Sequence, residues 1–368
     1  MYIDYTRSIV TLPATLLRHH GLPSPHPAHP LFARLLAHDY DHVVFVVLDG
    51  LGMNLVEAMD DKAWLKRHTV ESLQSTFPST TVAATTSLLT GLTPYESGHI
   101  GWFQYVQPEA THYTVFTKHD YYDPTKHIAP SVHAKFAHER VLDRIDEAHS
   151  HVAAAHVFPT PIDADGHTTL AEGFERVKRF QAEHPRTVVY LYSTEPDLTQ
   201  HVHGVHSKAT QAVLRSLDEA IASYASTLGR NCLMVATADH GLTDVTPLPI
   251  MENLALTKTF LRNPAVEPRA TAFFIKPGLH NAFVKLFNAT YGEDFTLYTA
   301  EYVLESGMLG RGKKHPLVDD TIGDFLAVAK TNKYFELVPG TSFKAHHAAT
   351  TPDEMRVPFV VYAPKGLI

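Results

Sequence analysis

Cysteine occurs once in the 368 residues, as Cys232, so no disulfide can close within the chain. The expectation is a reducing, cytoplasmic setting. Asn-Cys-Leu-Met-Val-Ala around Cys232 reads as a buried strand rather than the surroundings of a nucleophile. No apolar run is long enough to span a bilayer, and the opening Met-Tyr-Ile-Asp-Tyr-Thr-Arg lacks the basic start and apolar stretch of a secretory signal. Clusters of Lys and Arg are also missing, and the formal net charge is -8, which argues against a nucleic-acid groove or a membrane-surface patch. There is no repeat, no low-complexity tract and no glycine-rich nucleotide loop, so ATP could serve at most as a substrate.

What is present is a globular composition, 44% apolar and 19% charged, with 26 His beside 39 Asp and Glu. The length implies one large domain carrying an insertion, or two domains. His42 to Leu48, Thr187 to Tyr192 and Cys232 to Thr237 are near-continuous apolar runs of strand length, as suits strands buried on both faces of a parallel sheet. Between the last two, Val213, Leu214, Leu217, Ile221, Tyr224, Ala225 and Leu228 recur at helical spacing, with Gly229 as the expected stop. Strand, helix, strand in that order predicts an α/β layered fold. His151 to Phe158 is a further expected strand, followed by a helix around Ala171 to Ala182. From Glu252 to Val318 the pattern changes to strand (Ala270 to Ile275), helix (Leu279 to Ala289) and strand (Phe295 to Thr299), which predicts a small α+β insertion. The chain is expected to rejoin the core at Gly323 to Lys330 and to end in the strand Val357 to Tyr362.

Each of the three apolar runs is followed at once by acids: Asp49-Gly50, Glu195-Pro196-Asp197 and Asp239-His240. Ligands bind beyond the carboxyl ends of parallel strands, and buried carboxylates need cations or several donors, so these acids mark a site. Asp197 and His201 lie one helical turn apart, a spacing that lets both reach one ion. Pro78 to Gly91 reads as a short helix whose start carries Thr80 and Thr81, where free N–H groups and the positive dipole end would hold a phosphoryl oxygen.

These residues resemble the alkaline phosphatase superfamily in its type I phosphodiesterase/nucleotide pyrophosphatase branch. The resemblance rests on Val-Leu-Asp49-Gly-Leu-Gly, Phe77-Pro-Ser-Thr-Thr with Thr90-Gly91-Leu-Thr-Pro, Glu195-Pro-Asp197 with His201-Val-His-Gly204, Ala238-Asp239-His240-Gly-Leu-Thr-Asp244, and His347-Ala-Ala-Thr-Thr-Pro-Asp-Glu-Met. It implies an alkaline-phosphatase-like three-layer sandwich, with a central, mostly parallel sheet formed by residues 1–251 and 319–368 and a small α+β cap at 252–318. It also implies two divalent cations, zinc (Zn2+) with manganese (Mn2+) as the alternative. One would be held by Asp197, His201 and His347, the other by Asp49, Asp239, His240 and the nucleophile. Counting ten residues back from Gly91, as the superfamily's spacing implies, assigns the nucleophile to Thr81, with Thr76 before Phe-Pro as the competitor. His346 similarly rivals His347. Two departures stand out: Trp102 occupies the place of an asparagine that contacts the phosphoryl oxygen, and Ala348 and Ala349 replace the usual glycines after the last histidine.

The expected activity is hydrolysis of small-molecule phosphodiesters or nucleotide pyrophosphates through Thr81. Phosphomonoesters and phosphonates are the alternatives within the superfamily. Sulfatase and phosphoglycerate mutase signatures are missing, since neither Thr81 nor Cys232 has the required setting. A rival from another class is a metal-stabilised binding protein in which the same residues only lock the fold. Phe77, Trp102, Phe103 and Tyr105 are candidates to line the pocket, His203 and His206 to support the ligands, and Lys276, Lys313 and Lys314 to reach a substrate anion. Oligomeric state is not specified by the sequence.

Overall fold

The apolar runs become neighbouring strands in the computed structural model, which describes residues 3–160 and 162–363; Met1, Tyr2 and the last five residues of the expected core lie outside these. The main sheet contains β1 (His42–Leu48), β2 (Thr69–Gln74), β5 (Ala153–Val157), β6 (Thr187–Ser193), β7 (Cys232–Thr237) and β16 (Arg356–Tyr362), in the order β2-β16-β7-β1-β6-β5. Strands β5, β6, β1 and β7 run parallel, and β16 is antiparallel to both of its neighbours. Every residue of β6 and β7 is buried, which is why these runs show no alternation of apolar and polar residues. Thr11–His19, Thr81–Thr90 and Val141–Ala148 pack as one helix group; Trp64–His68, Leu170–Glu183 and Lys208–Thr227 form another. Both groups contact the sheet, and the result is the three-layer α/β fold expected. The helix Lys208–Thr227 buries Leu214, Leu217, Ile221 and Tyr224 as its periodicity predicts, but it ends at Leu228 in an extended conformation rather than at a left-handed Gly229.

A second sheet is wholly antiparallel. Its strands are β3 (Phe103–Val106), β4 (Thr111–Thr114), β10 (Ala265–Val266), β11 (Ala270–Phe273), β12 (Phe295–Thr299) and β13 (Phe325–Ala329), in the order β12-β13-β11-β10-β3-β4. This corrects the expected boundary at 318, because β13 does not rejoin the main sheet. It pairs with β11 and β12, and the hairpin β3–β4, far upstream of residue 252, extends the same sheet. An apolar strand such as Phe-Leu-Ala-Val-Ala is compatible with either sheet, and only its partners decide.

Two ribbons carry the chain between the sheets: β8 (Thr243–Asp244) with β15 (Ala345–His346), and β9 (Thr246–Leu248) with β14 (Lys333–Phe335). The first of these brings His347 back to the end of β7. Arg269 ties the sheets further, since it is wholly buried and donates to both carboxylate oxygens of Glu354 at 2.7 and 2.8 Å. No described helix is long and apolar enough to cross a membrane.

Candidate metal centre and catalytic cleft

Register brings the acids together. Leu48 lies beside Ser193 and Val47 beside Thr237, so β1, β6 and β7 end on one edge. The Asp197 N–H donates to the Asp49 carbonyl at 3.0 Å, and the Gly50 N–H donates to Asp239 Oδ1 at 3.1 Å. Gly50 has a φ of 72°, and a Cβ there would lie 2.8 Å from Asp197 Cβ. Glycine is therefore required both for the turn and for the close approach of Asp197, the first residue of the helix Asp197–His203.

Two groups of ligand-type side chains result, Asp197 with His201 and His347, and Asp49 with Asp239 and His240, the ligand atoms of each lying within 4.8 Å of one another. His201 Nε2 is 3.3 Å from Asp197 Oδ1, and His240 Nε2 is 3.4 Å from Asp49 Oδ1 and 3.5 Å from Asp239 Oδ2. The remaining ring nitrogens are occupied. Nδ1 of His201, His240 and His347 donates to the carbonyls of Ala345, Gly241 and Ser79 at 2.8, 3.2 and 3.1 Å. Because a carbonyl can only accept, each ring carries its proton on Nδ1 and turns the lone pair of Nε2 inward, the arrangement of metal-ligating imidazoles.

The carboxylates complete this reading, since Asp49 Oδ1, Asp197 Oδ1 and Asp239 Oδ2 are buried and accept no hydrogen bond among the described residues. Leaving three such oxygens bare is costly unless cations occupy the space between them. Burial, then the charges of Asp239 and Asp197, drives Asp49 far above the usual carboxylate range, and burial raises Asp239 as well. Burial would also raise Asp197, but with no cation between them Asp197 draws a second proton onto His201, and that charge outweighs burial and holds the carboxyl low. The second oxygen of Asp49 accepts from the Tyr192 hydroxyl.

Thr81 opens the helix Thr81–Thr90, which ends at a left-handed Gly91 as its sequence predicts. Its hydroxyl lies 3.1 Å from His240 Nε2. Thr76 sits elsewhere, its hydroxyl directed to the Pro78 carbonyl. His346 borders the same space, but its Nδ1 accepts the His347 N–H at 2.8 Å, and it belongs to neither ligand group. Ala348 adopts a φ of 97°, so the loop keeps a glycine-like backbone without glycine.

A cleft of about 640 Å³ opens over Asp49, Thr81 and Asp197, walled by Trp102, Phe116, Tyr192 and Leu198, with Lys118 at its exposed edge. An adjoining cavity of about 320 Å³ is lined by Trp102, Phe103, Tyr121, His201, Glu267 and His347. Of the expected aromatic residues, Trp102 and Phe103 line the site, whereas Phe77 and Tyr105 are buried in the second core. His203 is solvent-exposed, and His206 borders a separate cleft. Lys276 donates to the Lys258 carbonyl and Lys314 pairs with Asp319; neither lines the site, nor does Lys313. Lys118, Tyr192 and Glu267 were not singled out from the sequence. Tyr192 could have been, as the second-last residue of a strand ending on the site; Lys118 and Glu267 carry no local signal. Burial pushes the Glu267 carboxyl up to about 7.

A family model described as type I phosphodiesterase/nucleotide pyrophosphatase matches residues 43–349. Among curated proteins none matches the chain. Among the solved structures that share its fold are two ectonucleotide pyrophosphatase/phosphodiesterases. Murine ectonucleotide pyrophosphatase/phosphodiesterase 5, in an inactive form complexed with AMP, has a TM-score of 0.67 at 18% identity over 88% of each chain. The human counterpart has a TM-score of 0.67 at 15% identity, again over 88% of each.

Proposed function

The chain belongs to the type I phosphodiesterase/nucleotide pyrophosphatase family of hydrolases, and from there we propose that it cleaves phosphodiester or pyrophosphate bonds of nucleotide-like small molecules with Thr81 as nucleophile. The carrying observation is the Thr81 hydroxyl, at a helix start and 3.1 Å from His240 Nε2, beside buried carboxylate oxygens that have no partner. The donor set fits two divalent cations, one on Asp197, His201 and His347, the other on Asp49, Asp239, His240 and Thr81. Mixed imidazole and carboxylate ligands suit zinc, with manganese as the alternative. Bound there, the cations supply the positive charge that this acidic site lacks for a phosphate ester.

The protein's own part follows from position. Thr81 Oγ1 gives up its proton to water and attacks phosphorus in line, the phosphorus–oxygen bond to the leaving group breaks, and the departing oxygen takes up a proton from water. Water then cleaves the phosphothreonine ester and restores the hydroxyl. Free N–H groups at the helix start face the phosphoryl oxygens in place of the asparagine displaced by Trp102. The aromatic wall of Trp102, Phe103 and Tyr121 suits a nucleobase, and the AMP seen in the murine structure has that chemistry.

The test is turnover of bis-p-nitrophenyl phosphate alongside a phosphomonoester and a phosphonate, with and without chelator. Activity should require zinc or manganese and favour the diester, and Thr81→Ala should lower kcat by roughly 10³-fold or more. Full activity in that variant would remove Thr81 from its role. Metal content without turnover on any ester would favour the binding-protein reading.

A further inference from the structure

Thr80 is the residue that should cap the helix Thr81–Thr90, yet its side chain makes no cap hydrogen bond. Its hydroxyl instead donates to Glu267 Oε1 at 2.5 Å. The same oxygen accepts the Trp102 N–H at 2.7 Å. Glu267 comes from the turn between β10 and β11, is 1% exposed, and lines the cavity shared with Thr81, Asp197 and His347. The backbone is forced to deliver it. Val266, a buried β-branched residue, has a φ of 82°, and a Cβ at Gly101 would lie 2.6 Å from the Val266 carbonyl oxygen. Strain at such a residue persists where surrounding contacts hold it, and it is most often found at sites of function.

The consequence appears at the helix start. Ala84 N–H bonds to the Thr80 carbonyl, but the N–H groups of Thr81, Val82 and Ala83 have no acceptor among the described residues. An ordinary N-cap threonine would turn its hydroxyl onto one of them. We propose that Glu267 is a positioning residue for the reaction: by holding the Thr80 hydroxyl and the Trp102 amide on one buried carboxyl, it keeps the helix start uncapped, so that its N–H groups stay available beside the Thr81 hydroxyl. The inference rests on the phosphoester reading for the identity of the group those donors meet. Without Glu267 the Thr80 hydroxyl rotates onto the helix and competes with the phosphoryl oxygen, and the Trp102 N–H loses its acceptor.

The metal-loaded protein is tested two ways, by turnover of bis-p-nitrophenyl phosphate and by calorimetric affinity for inorganic phosphate. Glu267→Ala should lower kcat by about 10- to 100-fold, as loss of one or two donors to a developing charge does. Phosphate affinity should fall with it. Glu267→Gln keeps an acceptor for both hydrogen bonds and should retain activity. Thr80→Val alone removes the competing hydroxyl and supplies the reference against which the double variant is read. The decisive variant combines Glu267→Ala with Thr80→Val: removing the hydroxyl that would cap should restore much of the lost kcat and phosphate affinity, a rescue no merely structural role predicts. If Glu267→Ala does not fold, Glu267→Asp, whose carboxyl is withdrawn from Thr80, takes its place in the same series. Wild-type kcat and phosphate affinity in the Ala or Asp variant, or no rescue by Thr80→Val, overturns the inference. A wild type that binds phosphate but turns over no ester sinks the functional reading instead, and the phosphate series still decides the role of Glu267.

Discussion

Gly50 sets the spacing of the three acids, since its N–H holds Asp239 and its missing Cβ admits Asp197. Gly50→Ala should displace Asp197 by several tenths of an ångström or more. We expect fewer bound cations by elemental analysis and a kcat lower by on the order of 100-fold, as misplacement of reacting groups costs; an unchanged metal content would show that the contact is not needed. His99 illustrates a different kind of buried residue. Its Nδ1 has no hydrogen-bond partner among the described residues, and burial, reinforced by His138 and His315, pushes it down to about 3. The folded protein thus keeps His99 neutral while the unfolded chain protonates it near 6.5, so its contribution is full above 6.5 and is lost as pH falls toward about 3. At pH 5 the loss amounts to about 2 kcal/mol. Urea unfolding at pH 7 and pH 5 should show wild type losing about that much more stability than His99→Phe.

Between elements, the buried pair Arg269–Glu354 joins the second sheet to the short helix Pro352–Met355 ahead of β16. Glu354 also accepts the Ala349 N–H at 2.9 Å, which steadies the loop carrying His347. Arg269→Met leaves that carboxylate buried without its cation and should destabilise the protein by about 3–5 kcal/mol. Adding Glu354→Gln should recover part of this in urea melts, and no recovery would mean that Arg269 matters through its bonds to the Thr331 and Lys333 carbonyls alone. The elements nearest the site were the most legible ones. Strand β7 has the bounds expected of it, and the helix after Thr80 ends at Gly91, because uninterrupted apolar runs and a left-handed glycine are local signals. Helix Lys208–Thr227 was legible in its buried face but not in its end, where an extended Leu228 takes the place given to Gly229.

At the scale of the molecule, the second sheet is interleaved with the first along the chain, drawing on residues 103–114, 265–299 and 325–329. Replacing 252–318 by a short linker strips β10, β11 and β12 from β3, β4 and β13 and should abolish cooperative unfolding measured by circular dichroism. A soluble remainder with a sharp transition would restore the boundary at 318. The sequence by itself determined five of the six strands of the main sheet, all but β2, together with the acids that follow β1, β6 and β7 and the Asp-His pairs, because apolar runs and ligand chemistry leave their mark on consecutive residues. Tertiary structure alone decided that β13 joins the second sheet and that Glu267 holds Thr80. Those outcomes depend on contacts such as the one between Thr80 and Glu267, 187 positions apart, and no local pattern encodes the partner at that distance.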